Sequence, residues 1–252
     1  MSIQIASDII AIMMKKAKHV FQFIKINYRK FLLVLYMFLY FITFHFLEAR
    51  QVPYFVISTK FDHMIPFCEY FVIPYDLWFF YMTYGIVLTI FQKKGQHFYR
   101  MGLMLFIGMN AFLIISFLFP NGQDLRPQVM PRDNAFTHMV LALYRTDTPT
   151  NVFPSIHVFN SIAITVALDH LPVIRRHFKA RAMHWILMVL IIMSTMFIKQ
   201  HSIIDVFGAI TLFLVLYPFI YGSWSHHVEK YLRAFDSKHY DGNYELDWFG
   251  QP

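Results

Sequence analysis

Residues 101–119 read MGLMLFIGMNAFLIISFLF, nineteen positions without one charged side chain. As a helix this run is about 28 Å long, close to the ~30 Å hydrocarbon core of a bilayer. Lipid offers no partner to backbone donors and acceptors, so the run is expected to be helical. Five further apolar segments lie on either side, at 31–47, 70–91, 154–171, 182–198 and 203–221. The segments at 154–171 and 203–221 are the least uniform, because polar residues lie within or beside them. The 252-residue chain is 57% hydrophobic and 15% charged, with a mean hydropathy of +0.45. Soluble domains carry about 25% charged residues. The expected class is therefore an all-α polytopic membrane protein, a six-helix bundle over 31–221. A basic segment, 1–30, precedes it and a tail, 222–252, follows. No internal repeat or low-complexity linker divides the bundle. The first span follows thirty residues and lacks a small-x-small cleavage site, so it is expected to be retained.

The single Cys68 excludes an intramolecular disulfide and any multi-cysteine metal site. The net charge of +7 is spread between apolar runs, which fits membrane orientation better than nucleic-acid binding. Sixteen of the 22 Lys and Arg residues fall in the N-terminal segment, the loops after the second and fourth spans, and the tail. The other six are Arg50, Lys60, Arg126, Arg132, Arg145 and Lys199. The positive-inside rule then places both termini in the cytoplasm and Arg126, His157, Lys199 and His201 at the outer face. In the first thirty residues, Ile9, Ile12, Met13, Val20 and Ile24 recur at spacings compatible with one helical stripe among lysines. Either a basic amphipathic helix on anionic lipid or a solvated lead-in fits that pattern.

Two short polar segments carry the chemistry: Pro154-Ser155-Ile156-His157, and Lys199-Gln200-His201-Ser202-Ile203-Ile204-Asp205. Pro154 suits a first helical turn, where its missing N–H costs nothing. The N–H groups of Ser155, Ile156 and His157 would then form an anion site, with the Ser155 hydroxyl as a further donor. His201 and Asp205 are four residues apart, and on a helix would share one face. Arg126, stiffened by Pro127, can grip two phosphate oxygens through its planar fork, and Lys199 adds a point charge. In this reading His201 attacks phosphorus, Asp205 fixes its tautomer, and His157 moves the proton of the leaving and entering oxygens. Taken singly the pieces are weaker. Pro-Ser-Ile-His alone fits an ordinary helix start. His201 with Asp205 alone fits a structural hydrogen-bonded pair or two ligands of a metal such as zinc. Asp76, Asp169 and His45 also lie in apolar runs, but no spacing links them to the motifs. Asp76 and Asp169 are expected near interfaces, and His45 packed against neighbours.

Arg-Pro, then Pro-Ser-x-His, then His-x-x-x-Asp, with 26 residues between Pro127 and Pro154, resembles the type 2 phosphatidic acid phosphatase superfamily. The likeness covers residues from about 120 to 210. It implies a lipid phosphatase that forms a phosphohistidine, uses no metal or other cofactor, and acts on phosphatidic acid-like esters or polyprenyl diphosphates. The pattern is reduced. Phe119 stands where the superfamily has a lysine, Ser194-Thr195 where it has Ser-Arg, and Ile156 where glycine is frequent. In this it is more similar to the branch of inositol phosphorylceramide and sphingomyelin synthases, which implies head-group transfer as the alternative. From another class, a transporter or scaffold with a degenerate site would also be a membrane bundle. A transporter would favour repeated or broken helices, and no repeat is present.

The cation asymmetry predicts sidedness. With Cys68→Ser as background, a cysteine in place of Arg145 should react with a membrane-impermeant maleimide in intact cells. A cysteine in place of Lys179 should react only after permeabilisation.

Overall fold

The apolar runs form helices. The computed structural model describes residues 2–92 and 95–239. Within the first thirty residues it describes the side chains of Met13, Met14, Phe21, Ile24, Tyr28 and Lys30, and none beyond Leu232. Helix α1 spans Ser2–Glu48, α2 Lys60–Met64, α3 Val72–Ile90, α4 Gln96–Leu118 and α5 Ala135–Thr146. Then come α6 Ile156–Asp169, α7 Pro172–Arg175, α8 Phe178–Phe197, α9 Ile203–Ile220 and α10 His226–His239. One turn of 3-10 helix, Glu69–Phe71, leads into α3. The only strands among the described residues are β1, Phe55–Val56, and β2, Asn121–Gly122, which pair in parallel.

Five helical segments are long and apolar enough to cross a membrane: Lys30–Glu48, Glu69–Ile90, Gln96–Leu118, Phe178–Phe197 and Ile203–Ile220. The expected span over 154–171 is shorter, a 14-residue helix from Ile156 to Asp169. Ser155 caps it at one end. At the other, Pro172 begins α7, and the residue before a proline is pushed out of the helical region. Pro154, expected in the first turn, instead precedes the cap and follows a cis peptide bond. The basic segment and the first span form one continuous helix, α1. Met13 and Ile24 of the expected stripe are exposed, whereas the side chains of Ile9, Ile12 and Val20 and of Lys15, Lys16, Lys18, Lys25 and Arg29 lie outside the described residues. So do Lys93 and Lys94 and the tail beyond His239.

Helices α1, α3, α4, α6, α8 and α9 alternate in direction, as contacts at both ends of the bundle show. At one end Arg50, just past α1, donates to Ser116 O at the close of α4 (2.8 Å). Cys68 N–H, before α3, reaches Phe197 O at the close of α8 (3.0 Å). At the other end Lys30 Nζ donates to Ile90 O (2.9 Å) and Arg100 to Ile220 O (2.7 Å). There Arg181 and Asp169, the last residue of α6, also form a bidentate pair. His45, expected to pack against neighbours, is exposed, and Asp76 is half-buried. The shortest of the six helices lies at the centre. Helix α6 packs against α3, α4, α8 and α9, and its Val158, Ala163, Ile164 and Leu168 are fully buried. The outer faces carry large exposed apolar side chains, among them Leu35, Phe38, Phe80, Ile186 and Leu214.

Close approach of α4 to α6 depends on Gly108. A Cβ there would lie 2.0 Å from the Phe159 ring, which is itself only 1% exposed. Gly108→Ala should therefore destabilise the protein by about 1–3 kcal/mol. Adding Phe159→Leu should recover part of that loss, read as thermal unfolding of both variants in detergent.

Candidate active site

The turn joining α8 to α9 is built by backbone geometry first. Ile198 ends α8, and Lys199 takes a left-handed conformation (φ 55°). Lys199 N–H then bonds Met196 O (3.1 Å) and Gln200 N–H bonds Thr195 O (2.9 Å). This is the Schellman closure that glycine usually provides. Here a lysine holds it, with Nζ donating to Asp62 O (2.7 Å) and Ile65 O (2.6 Å). The ammonium expected at the phosphate is thus directed to the main chain beside α2. Burial lowers its affinity for a proton, and Asp62 partly offsets this.

Helix α9 then starts under a reciprocal cap. Ser202 Oγ accepts from Ile204 N–H (3.2 Å), and Asp205 Oδ2 accepts from Ser202 N–H (2.9 Å). The same oxygen faces His201 Nδ1 at 3.3 Å. His201 lies ahead of the helix, so the cap of α9 makes this contact, and not two residues on one helical face as the spacing suggested. The pair is 7% and 0% exposed respectively, and Asp205 Oδ1 is buried without a hydrogen bond. Its geometry leaves His201 Nε2 as the ring nitrogen available for chemistry. The separation is long for a hydrogen bond.

His157 comes to this pair through a main-chain tie. Ser155 N–H donates to Asp205 O (3.1 Å), so the starts of α6 and α9 are bonded directly. Ser155 Oγ caps α6 by accepting from Val158 N–H (3.4 Å). Of the three N–H groups expected to form an anion site, that of Ser155 is therefore engaged. Those of Ile156 and His157 belong to the first turn, where no intrahelical acceptor exists. The His157 ring rests on Tyr75 (4.7 Å between centroids) and Trp78 (4.4 Å), and lies 5.7 Å from the His201 ring. Its Nδ1 is buried without a partner.

Arg126 joins through an amide. Its Nη2 donates to Asp147 O (2.8 Å) and to Gln200 Oε1, its Nη1 to Tyr144 O (3.3 Å), and it lies 4.3 Å over the Tyr144 ring. The other end of Gln200 donates to Asp147 Oδ2 (3.0 Å), which also accepts from Tyr75 OH (3.1 Å). Burial pushes the Asp147 carboxyl above its ordinary range, against the pull of His201, Tyr75 and Arg126. Gln123 Nε2 and Tyr144 OH fix the turn further, on Lys199 O (3.0 Å) and Ile198 O (2.6 Å).

His157, His201, Asp205, Ser155 and Arg126 are thus gathered at one end of the bundle, while Lys199 supports them from behind. The sequence reading missed Asp62, Asp147, Gln200, Tyr75 and Trp78. Asp62 had a signal, since Thr59-Lys60-Phe61-Asp62 has the form of a capping box, and the box does form. Nothing in the spacing could show that Asp62 also caps α9. Its Oδ2 accepts from Ser202 Oγ (2.7 Å) and its Oδ1 from Ile203 N–H (2.7 Å). Among the described residues, no group of three or more His, Cys, Asp or Glu is arranged to hold a metal ion. Comparison with protein families, with curated proteins and with solved structures gave no match to this chain.

Burial alone would raise the Asp62 carboxyl. The bonds from Ile203 N–H, Ser202 Oγ and Thr59 outweigh it and hold the carboxyl below its ordinary range. A depressed folded-state value adds stability above the unfolded value of about 3.9, lost as pH falls through the folded one. Asp62→Ala should cost about 1–3 kcal/mol at pH 7 by orphaning its donors. The gap to wild type should narrow as pH falls below about 4, measured by thermal unfolding in detergent.

Proposed function

We propose that this chain is an integral membrane enzyme that displaces an alcohol from the phosphorus of a lipid phosphate ester through a phosphohistidine, as its resemblance to the type 2 phosphatidic acid phosphatase superfamily implies. The observation that carries the reading is the His201–Asp205 contact at 3.3 Å, with the His157 ring 5.7 Å from that of His201. His201 Nε2 attacks phosphorus, and Asp205 holds the opposite ring nitrogen and stabilises the imidazolium that develops. His157 gives a proton to the departing oxygen and takes one from the entering water or alcohol. Arg126 and the first-turn N–H groups of α6 stabilise the charge on phosphorus-bound oxygens.

In this reading α6 completes a six-span bundle with the five longer helices. The cation asymmetry puts both termini in the cytoplasm and the site at the outer face. Hydrolysis of a phosphatidic acid-like ester or polyprenyl diphosphate is the leading form. Head-group transfer, with an alcohol in place of water, is favoured by one observation: the site is poor in cations. Phe119 and Thr195 replace the superfamily's lysine and arginine, Thr195 Oγ1 bonds back to Ile192 O (2.8 Å), and the Lys199 ammonium is held elsewhere.

His201→Ala should abolish turnover of lipid phosphate esters while the protein still inserts and folds. Brief exposure of wild type to labelled substrate should leave an acid-labile, base-stable phosphoryl group on His201. Asp205→Asn should lower kcat far more than it raises KM, because it disturbs the tautomer and not the grip on phosphate.

A further inference from the structure

His157 Nδ1 is buried with no hydrogen-bond partner among the described residues, and so is a side-chain oxygen one helical turn further along α6. That oxygen is Oδ1 of Asn160, a residue 1% exposed in the helix that α3, α4, α8 and α9 enclose. Residues three apart on a helix are neighbours, with Cβ atoms about 5–6 Å apart. Helical side chains also lean toward the N-terminus, which carries Asn160 back toward His157. The other groups around the ring are less suited to meet Nδ1. Tyr75 OH is taken by Asp147 Oδ2 (3.1 Å), and Ser161 directs its hydroxyl onto His157 O (2.6 Å). Trp78 Nε1 is buried without a partner, but an indole N–H can only donate. Asp205 Oδ1 is unbonded too, yet Asp205 holds His201. If both imidazoles meet one phosphorus, His157 turns Nε2 toward that side and Nδ1 away from it. An unpaired buried amide oxygen is destabilising, so its presence here calls for a reason beyond packing. Protonation of His157 supplies one, because an imidazolium carries a proton on both nitrogens and needs an acceptor for each.

Resting on the phosphohistidine reading above, we propose that Asn160 is the positioning residue of His157. Its Oδ1 accepts Nδ1–H of the protonated ring, which fixes that proton and leaves Nε2 to exchange the other with substrate. The relation is that of Asp205 to His201 with the charge removed. A carboxylate suits a nucleophile that becomes cationic, whereas a neutral amide suits an acid that must give its proton away. The step balances without a further reactant. His201 Nε2 bonds to phosphorus as the bond from phosphorus to the leaving oxygen breaks, and that oxygen takes the proton from His157 Nε2. Water or an alcohol then attacks phosphorus, the bond to His201 breaks, and the proton of the entering oxygen goes to His157 Nε2. Nδ1–H stays on Asn160 throughout.

The test uses purified full-length protein in detergent and two substrates that differ in their need for an acid. The alkoxide of phosphatidic acid must be protonated as it leaves. The phenolate of a nitrophenyl phosphate bearing an alkyl tail leaves unaided. Asn160→Leu should lower kcat/KM on phosphatidic acid by about tenfold or more, part of the ~10²–10⁴ that a general acid supplies. The same variant should leave kcat/KM on the nitrophenyl ester nearly unchanged, because that ratio reports the steps up to departure of the leaving group. In a His157→Ala background Asn160→Leu should cost nothing further, since it acts through that imidazole. Its thermal unfolding should be no earlier than that of wild type, because an unpaired buried oxygen has been removed. Asn160→Ala, read in the same way, decides the matter if Asn160→Leu does not fold. Equal losses on the two substrates, no loss on phosphatidic acid, or a further loss in the His157→Ala background overturns the role of Asn160 and leaves the His201 chemistry standing. Wild-type turnover of neither substrate, or turnover untouched by His201→Ala, removes the phosphohistidine reading and the proposal with it.

Discussion

Asp205 is bonded in three directions, and the end of the bundle that carries the histidines is organised around it. Its carboxylate caps the start of α9 through Ser202 N–H and faces His201 Nδ1, while its main-chain oxygen accepts Ser155 N–H from the start of α6. One buried residue thereby fixes the cap of one helix, the orientation of one imidazole and the distance to the helix that carries the other. An acid in the first turn is favoured by the helix dipole, and burial raises the cost of leaving any of its donors unmatched. The three bonds are mutually dependent, since moving α6 away from α9 would separate His157 from His201 and orphan Ser155 N–H together.

Around that residue the chain uses main-chain groups where a richer site would use cations. Lys199 stabilises a left-handed turn by binding two carbonyls, and Asp62 occupies the positive end of α9, a position otherwise suited to an anion from solution. Both charged side chains are thus matched by groups of the chain itself.

Helix α6 shows how packing overrode a plausible length. Residues 154–171 read as a span because the run is apolar, yet helix forms only from Ile156 to Asp169. The run is short because Ser155 and Pro172 end it, and it can be short because α3, α4, α8 and α9 surround it. A helix enclosed by other helices need not match the thickness of lipid, since protein satisfies the groups beyond its ends.

The sequence by itself determined that the chain is a bundle of apolar helices, where most of them lie, and that His157, His201, Asp205 and Arg126 sit in loops or helix starts at a common end. Uninterrupted apolar runs leave the backbone few choices, and helices that alternate in direction put every second loop at one end of the bundle. Tertiary structure decided what those loops do. Lys199 reads as a phosphate ligand because its charge is visible in the sequence, but the carbonyls of Asp62 and Ile65 that claim it lie more than 130 residues away. Asp147 and Gln200 carry no motif, and became part of the site only when the loop after α5 met the turn before α9. Spacing along a chain records which side chains can share a helix face. Which buried charge finds which partner depends on contacts between distant segments, because the low dielectric of the interior makes each such pairing compulsory.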